Sequence, residues 1–340
     1  MAIEHEVRNG NLLWIRSPVT GVVSYVVDLS SKSFAFTLGS RGGGAQSGDT
    51  RKTLTAERIG EITSSCPFCP GNENLAPHEL LRVSRYEDAG SSTPPWMIRA
   101  FNNLFPRIPD QLTGDRNESY VVVEDPRHFL EHAKSIDDLT YSGALEEEQF
   151  FRLLEVDCEV MRHALANPAV HSVVIRKNQG RESGASQPHS HQQLIGSPSA
   201  LPSIEAEIAA QDRNPDFWLE LIALVKQFGL ILDEDDGVVS YASPVGVFPR
   251  SYDVIIPDIR GLLTELPKSR LRSFARALHQ ILRILGPMPL DYEIHQGPEL
   301  PLHAHVNARL FPYSNVAGTL NLPSTLFKNT AAARQTLKNP

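Results

Sequence analysis

Cysteine is scarce in this 340-residue chain, which has only three, and that scarcity excludes a disulfide framework. Long apolar runs are missing too. No uninterrupted stretch approaches the ~18 residues of a membrane span, and residues 1–10 are polar, without the apolar core of a signal peptide. Positive charge is not in excess either: 40 Asp and Glu against 32 Lys and Arg give a formal net charge of −8. That balance argues against nucleic acid or an anionic membrane surface as partner. A small phosphorylated substrate in a local pocket stays compatible with it. The remainder is globular, 41% hydrophobic and 21% charged, with length enough for one large domain or two ordinary ones. Reduced cysteines and no leader lead us to expect a cytoplasmic protein.

What the chain does have is imidazole, amide and glycine gathered in one stretch. In Gln187-Pro188-His189-Ser190-His191-Gln192-Gln193, a single residue separates two histidines and an amide follows. On a strand, residues at i, i+2 and i+4 share a face. His189, His191 and Gln193 are therefore expected to point one way, and Ser190 and Gln192 the other. Upstream, Asn178-Gln179-Gly180-Arg181-Glu182-Ser183-Gly184-Ala185-Ser186 is a polar loop with two glycines, a form that can turn backbone N–H groups toward an anion. An imidazole beside such a cradle points to phosphoryl or nucleotidyl chemistry. His191 would attack phosphorus, Gln193 would donate to a phosphate oxygen, and Ser186, Asn178 and the loop amides would hold the neighbouring phosphate. A lone strand histidine is more often a core or surface residue; the second histidine, the amide and the loop weigh against that.

Hydrophobic periodicity predicts strands over residues 12–15, 22–28, 96–101, 119–124, 170–176 and 290–295. It predicts helices over 146–166, 216–228 and 268–285. A Gly/Ser/Arg-rich segment, 39–53, reads as a mobile loop, and Asp233-Glu234-Asp235-Asp236 as a solvated turn. Strand, helix, strand, loop and His-x-His strand occur twice in the same order. Leu302-His303-Ala304-His305-Val306-Asn307 parallels Pro188-His189-Ser190-His191-Gln192-Gln193. The chain is accordingly expected to be an internal duplication, residues 1–200 and 201–340, joined between 198 and 237.

Two further groups carry chemistry. Cys66 and Cys69 form a Cys-x-x-Cys pair able to chelate one zinc ion, with His128 and His189 available to close a tetrahedron. The competing readings are a free pair packed under a loop and a redox dithiol. His295, His303 and His305, with Glu205 or Glu207, could form a second metal site. Strand histidines left over from the duplication are the alternative.

Taken jointly, Ser186-x-Pro188-His189-x-His191-x-Gln193, preceded by Asn178 and Gly184, resembles the active-site signature of the galactose-1-phosphate uridylyltransferases. These belong to the histidine-triad superfamily, and the related nucleotide-sugar phosphorylases share the pattern. Cys66-x-x-Cys69, Phe101-x-Asn103, Asp125-Pro126-x-His128 and His303-x-His305 follow in the family's order, so the likeness spans roughly residues 11–322. It implies an α+β fold of duplicated histidine-triad-like units, with an antiparallel sheet and flanking helices, often dimeric. The implied reaction transfers UMP between a UDP-sugar and a sugar 1-phosphate through a uridylyl-His191 intermediate. Gln193 would assist, Asn178, Gly184 and Ser186 would lie at the phosphates, and Asn103 near the nucleotide. By the same likeness Cys66, Cys69, His128 and His189 would bind structural Zn2+. Glu207 (or Glu205), His295, His303 and His305 match a second site for Zn2+ or Fe2+.

Two departures separate the chain from that pattern. After Pro18-Val19-Thr20-Gly21 the family usually carries Arg-x-x-Arg-Pro; here Leu29-Ser30-Ser31-Lys32-Ser33 follows, leaving Arg41 or Arg51 as substitutes. Where the family reads sugar hydroxyls with Gly-aromatic-Glu, this chain has Ala317-Gly318-Thr319-Leu320-Asn321, with Asn321 or Asn315 as the polar replacements. A buried hydroxyl left unpaired by leucine costs about 1–3 kcal/mol. The alternatives to uridylyl exchange are a phosphorylase that hands AMP to phosphate, as ADP-glucose phosphorylase does, and a non-catalytic nucleotide- or metal-binding scaffold.

Overall fold

The computed structural model describes residues 3–8, 12–21, 23–27, 53–84, 96–246, 248, 250–309 and 326–338. Strands β1 (His5–Arg8), β2 (Leu12–Arg16) and β3 (Val23–Val27) form a small antiparallel sheet. Helix α1 (Ala56–Ser65) precedes β4 (Glu79–Ser84), β5 (Trp96–Asn102), β6 (Ser119–Val123), α2 (Glu147–Leu165), β7 (Ser172–Gln179) and β8 (His191–Ser197). Helices α3 (Pro202–Arg213) and α4 (Phe217–Gln227) then lead to β9 (Ile231–Asp235), β10 (Val238–Ala242) and β11 (Ser251–Gly261). The chain continues through α5 (Lys268–Leu285), β12 (Leu290–His295) and β13 (Gly297–Ala308), and α6 (Leu326–Lys338) closes the described residues. No helix among them is long and apolar enough to cross a membrane.

Ten of these strands make one antiparallel sheet in the order β4-β5-β6-β8-β7-β12-β13-β11-β10-β9. The α+β class with an antiparallel sheet and flanking helices is borne out. Read inward from each edge, the strands run β4-β5-β6-β8-β7 and β9-β10-β11-β13-β12, with α2 and α5 at equivalent places in the chain.

Side-chain alternation gives the two faces of this sheet different tasks. Val122, Ile175, Leu194, Ile294 and Ala304 point to one face and are buried with Phe150, Leu154, Phe274 and Leu278 of α2 and α5. Each of the larger of these side chains contributes roughly 1.5–3 kcal/mol by leaving water. On the other face Phe101, Val121 and Val123 pack under Cys66, Phe68 and Cys69 in a smaller cluster. Helices α3 and α4 reach that same face further along, where the Trp218 ring lies 4.6 Å from that of His303.

Register extends a row of side chains along this second face. Val121 pairs with Gln193, Gln193 with Arg176, Arg176 with Glu293, Glu293 with His305 and His305 with Asp253.

Several elements differ from the sequence-based expectation. The acidic Asp233-Glu234-Asp235-Asp236 stretch is not a solvated turn throughout: β9 runs through Asp235, and the turn is Asp236-Gly237. Both turn residues have positive φ, 47° and 75°, as a two-residue hairpin requires. The charges suit β9, an edge strand whose exposed side resists further pairing. The strand expected over 170–176 starts two residues later and continues to Gln179. Strand β8 begins only at His191, so His189 stands just ahead of it. Expectations for residues 22, 28–33 and 39–52, including Arg41 and Arg51, lie outside the described residues. So do those for 310–325, including Asn315 and Asn321.

The α2–α5 layer depends on one close approach. Gly143, in the turn before α2, sits so near α5 that a Cβ there would come within 2.4 Å of the Leu282 carbonyl oxygen. Gly143→Ala should therefore lower unfolding free energy by about 1–3 kcal/mol in urea titrations. Gly60→Ala, in exposed α1 with nothing within 4 Å, should be neutral or stabilising by up to about 1 kcal/mol. Equal effects of the two would contradict this packing.

Candidate active site and metal centres

The loop from Cys66 to Cys69 folds over β6 and β8 because Phe68 anchors it: its ring lies 6.1 Å from the His189 ring and 5.1 Å from that of His191. Nε2 of His189 is 2.7 Å from the Asp125 carbonyl oxygen. Donating there fixes the tautomer and leaves the Nδ1 lone pair facing Cys66 Sγ at 3.6 Å and Cys69 Sγ at 3.5 Å. His128 Nδ1 lies 3.4 Å from Cys69 Sγ. All four residues are buried, with their ligand atoms within 4.8 Å of one another. A tetrahedral ion bonded to sulfur at about 2.3 Å and nitrogen at about 2.0 Å separates such atoms by about 3.5 Å, so the set fits a metal. Hydrogen bonding from Cys69, opposed by burial and aided by His128 and His189, holds the Cys66 thiol far below its ordinary range. The pair therefore presents a thiolate, the form that ligates.

A second cluster forms where α3 meets β12 and β13. The inward face of α3 carries Ile204, Glu207 and Ala210, which resolves the choice between the two glutamates: Glu207 is buried and Glu205 exposed. Glu207 lies 2.7 Å from His295 Nδ1 and 2.9 Å from His305 Nε2. His303 donates through Nδ1 to the Pro301 carbonyl at 2.7 Å. Its Nε2 then carries a lone pair, 3.3 Å from a Glu207 oxygen and without a hydrogen bond. Two acceptors facing each other in a buried site are what a bound cation reconciles. Asp253, 2.7 Å from His305 Nδ1, orients that ring from behind, the usual arrangement around ligating histidines.

Between the clusters stands His191. Its Nδ1 lies 2.8 Å from the His189 carbonyl oxygen; donation there leaves Nε2 as the free lone pair. Burial pushes the His191 pKa down to about 4, only partly opposed by that hydrogen bond, and Lys177 adds to the drop. A neutral imidazole is the nucleophilic form. Gln193 is half-buried on the same face and its amide makes no hydrogen bond among the described residues.

The β7–β8 loop needs its glycines. Gly180 and Gly184 have φ of 80° and 90°, which other residues adopt only with strain. Asn178 spends its amide inside the loop, donating to the Ser183 carbonyl and accepting from Arg176 at 3.2 Å. Ser186 is exposed. Asn103, just past β5, accepts the Phe105 N–H at 3.0 Å. The structure thus brings together both candidate metal sets, and His191, Gln193 and Asn178 on adjacent strands, while Ser186 is exposed and Asn103 is partly so.

Sequence reasoning missed the buried charges behind the histidines. Lys177 Nζ lies 2.8 Å from Glu124, 3.0 Å from Ser190 Oγ and 3.2 Å from the His191 carbonyl oxygen. Ser190 and Ser142 donate to the other Glu124 oxygen at 2.7 and 2.8 Å. A period-two reading held the signal: Lys177 is in phase with the core residues Val173 and Ile175, and Glu124 with Tyr120 and Val122.

Comparison with known proteins shows where this fold recurs. Residues 113–251 match a family described as a domain of unknown function (DUF4921). An ADP-glucose phosphorylase of Arabidopsis thaliana is 24% identical over 268 residues, 69% of this chain and 68% of the relative. The crystal structure of an ADP-glucose phosphorylase from Arabidopsis thaliana with bound ADP-glucose aligns over 98% of both chains, with a TM-score of 0.68 and 18% identity. A GalT-like protein from the same plant aligns over 80% of this chain and 92% of its own (TM-score 0.64, 19% identity). A uridylyltransferase aligns over 81% and 91% (TM-score 0.60, 21% identity). The resemblance read from the motifs is borne out as a shared fold.

Removing one partner of a buried ion pair strands the other. Lys177→Met should therefore destabilise the protein by about 3–5 kcal/mol in chemical denaturation, and adding Glu124→Gln should recover part of that loss; a single variant as stable as wild type would refute the network. Elemental analysis of purified protein should find metal that Cys66→Ser/Cys69→Ser removes from one cluster and Glu207→Gln/His295→Asn from the other. No metal in the wild type would contradict the donor geometry.

Proposed function

We propose that this chain is a nucleotidyltransferase in which His191 accepts a nucleoside monophosphate from a nucleotide sugar and passes it to a phosphate-bearing acceptor. The observation that carries this is the His191 imidazole, neutral and held by the His189 carbonyl at 2.8 Å so that Nε2 is the reactive atom. In the first step Nε2 forms a bond to the α-phosphorus while the bond to the departing sugar 1-phosphate breaks. In the second, an acceptor phosphate oxygen attacks the same phosphorus and the imidazole leaves. Gln193 can donate to the oxygen where charge builds up.

The sequence-based expectation of UMP exchange with a hexose 1-phosphate gives way here to the phosphorylase alternative. ADP-glucose phosphorolysis, giving ADP and glucose 1-phosphate, has more support: it is the activity named for the relative at 24% identity and for the structure aligned over 98% of the chain. A galactose pathway has no such support.

Zinc suits the Cys66, Cys69, His128 and His189 cluster, since two thiolates and two imidazoles form its usual tetrahedral set. When bound it would supply rigidity: His189 would be a ligand, and its carbonyl holds His191. The Glu207, His295, His303 and His305 set, richer in nitrogen and oxygen, suits Zn2+ or Fe2+. The repeated strand order favours residues 1–200 and 201–340 as duplicated halves. A homodimer fits the exposed apolar side chains Leu104 and Phe105 (63% and 76% exposed) beside Asn103, and a cytoplasmic location fits cysteines kept free for metal.

Product analysis tests the reading. Wild type should convert ADP-glucose and phosphate to ADP and glucose 1-phosphate faster than it exchanges UMP between UDP-glucose and galactose 1-phosphate. Gln193→Ala should lower kcat by about a hundredfold to a thousandfold, and His191→Ala should abolish turnover while leaving the fold intact. Faster UMP exchange would return the first expectation, and equal inertness of wild type and His191→Ala would favour the scaffold.

A further inference from the structure

We propose that Arg176 binds the second phosphate of the substrate diphosphate, the one that departs with the sugar and is replaced by the acceptor; this rests on the nucleotidyl-transfer reading above. Arg176 lies on β7 directly opposite Gln193 of β8 on one side and Glu293 of β12 on the other. Cross-strand partners share a face, so Arg176 joins Gln193 and His191, while Lys177 turns to the buried side. The diagonal from Arg176 to His191 is roughly 7–8 Å, within reach of an arginine side chain and one phosphate.

Its present contacts leave the guanidinium under-used. Nη2 donates to the Asn178 amide oxygen at 3.2 Å, and Glu293 stands off at 3.9 Å. Glu293 is itself shared with His295 at 3.4 Å. The Arg176 Nε is buried and has no partner among the described residues, an arrangement that proteins avoid unless something supplies an acceptor. The side chain is 35% exposed, open enough to admit a ligand. A guanidinium offers a planar fork of donors matched to two phosphate oxygens.

Position selects which phosphate. In-line displacement puts the leaving group on the side of phosphorus away from His191. Gln193, on the nucleophile's own strand, stands beside the transferred phosphoryl group. Arg176, one strand further, meets the phosphate beyond it. A cation there favours acceptors carrying a phosphate and discriminates a nucleoside diphosphate from its monophosphate.

Calorimetric titration of the full-length protein with ADP and AMP, and with UDP and UMP, tests this directly. Arg176→Met should weaken diphosphate binding about tenfold to a hundredfold and monophosphate binding by less than about threefold. Arg176→Lys, which keeps the charge but loses the fork, should fall between Met and wild type, and it serves as the probe if the Met variant does not fold. Equal weakening of diphosphate and monophosphate, or none, overturns the assignment. Intact-mass measurement of wild type with ADP-glucose and with UDP-glucose separates the two claims. An adduct with unchanged diphosphate preference in the variants overturns Arg176 alone. No adduct, with the preference lost in the variants, overturns transfer and sustains the phosphate site. A wild type that binds none of the four nucleotides overturns both.

Discussion

A one-residue slip of β7 against β8 would turn Arg176 into the core and bring Lys177 out over the site. Register is what the remaining structure depends on, because side chains alternate with period two and every functional group here lies on one sheet face. Two features pin it. Val173, Ile175 and Leu194 must meet α2 and α5, and Lys177 must meet Glu124, both side chains being at most 1% exposed. A slip would pull Lys177 away and leave the buried Glu124 carboxylate unpaired, and an unpaired buried charge is far more costly than a lost methylene. The same register that satisfies the core therefore delivers His191, Gln193, Arg176, Glu293, His305 and Asp253 to the opposite face.

The two clusters of potential metal ligands bracket this face and solve different problems. Around Cys66 and Cys69 the cluster fastens an irregular loop, and His189 joins it to the reactive stretch. Ser190 looks the other way, to Glu124 and Lys177, so His191 is held from both sides of its backbone. The Glu207 cluster ties α3 to β12 and β13 in the second half. Its strands are joined by Gln296 alone, where the first half inserts the loop carrying Gly180 and Gly184. Similar strand orders thus come with a glycine-bearing loop in one case and a single linking residue in the other, which favours the first for the proposed chemistry.

Legibility in the sequence followed the range of the interactions. Helices α2 and α5 were read to within a residue because 3.6-residue periodicity is local. The cores of both candidate metal clusters, Cys66 with Cys69 and His303 with His305, were nameable because their spacings are short motifs. Glu207 over Glu205 needed the phase of α3, which no short motif reports. Arg176 and Lys177 went unread because their roles come from strands far away in the chain, Glu293 and Glu124 among them. Strand β9 was taken for a turn because acidic residues are poor strand formers in isolation and acceptable on an edge. The substrate was less legible for a related reason: on the proposed reading the histidine signature encodes how a phosphoryl group is taken up, and says little about which base or acceptor accompanies it.

Everything rests on His191 as the atom that carries the nucleotide, and one measurement addresses it. Wild-type protein mixed with ADP-glucose in the absence of phosphate, then examined by intact-mass and peptide mass spectrometry, should gain one adenylyl group on His191 and lose it when phosphate is added. An adduct on another residue, or none with either ADP-glucose or UDP-glucose, would contradict the account.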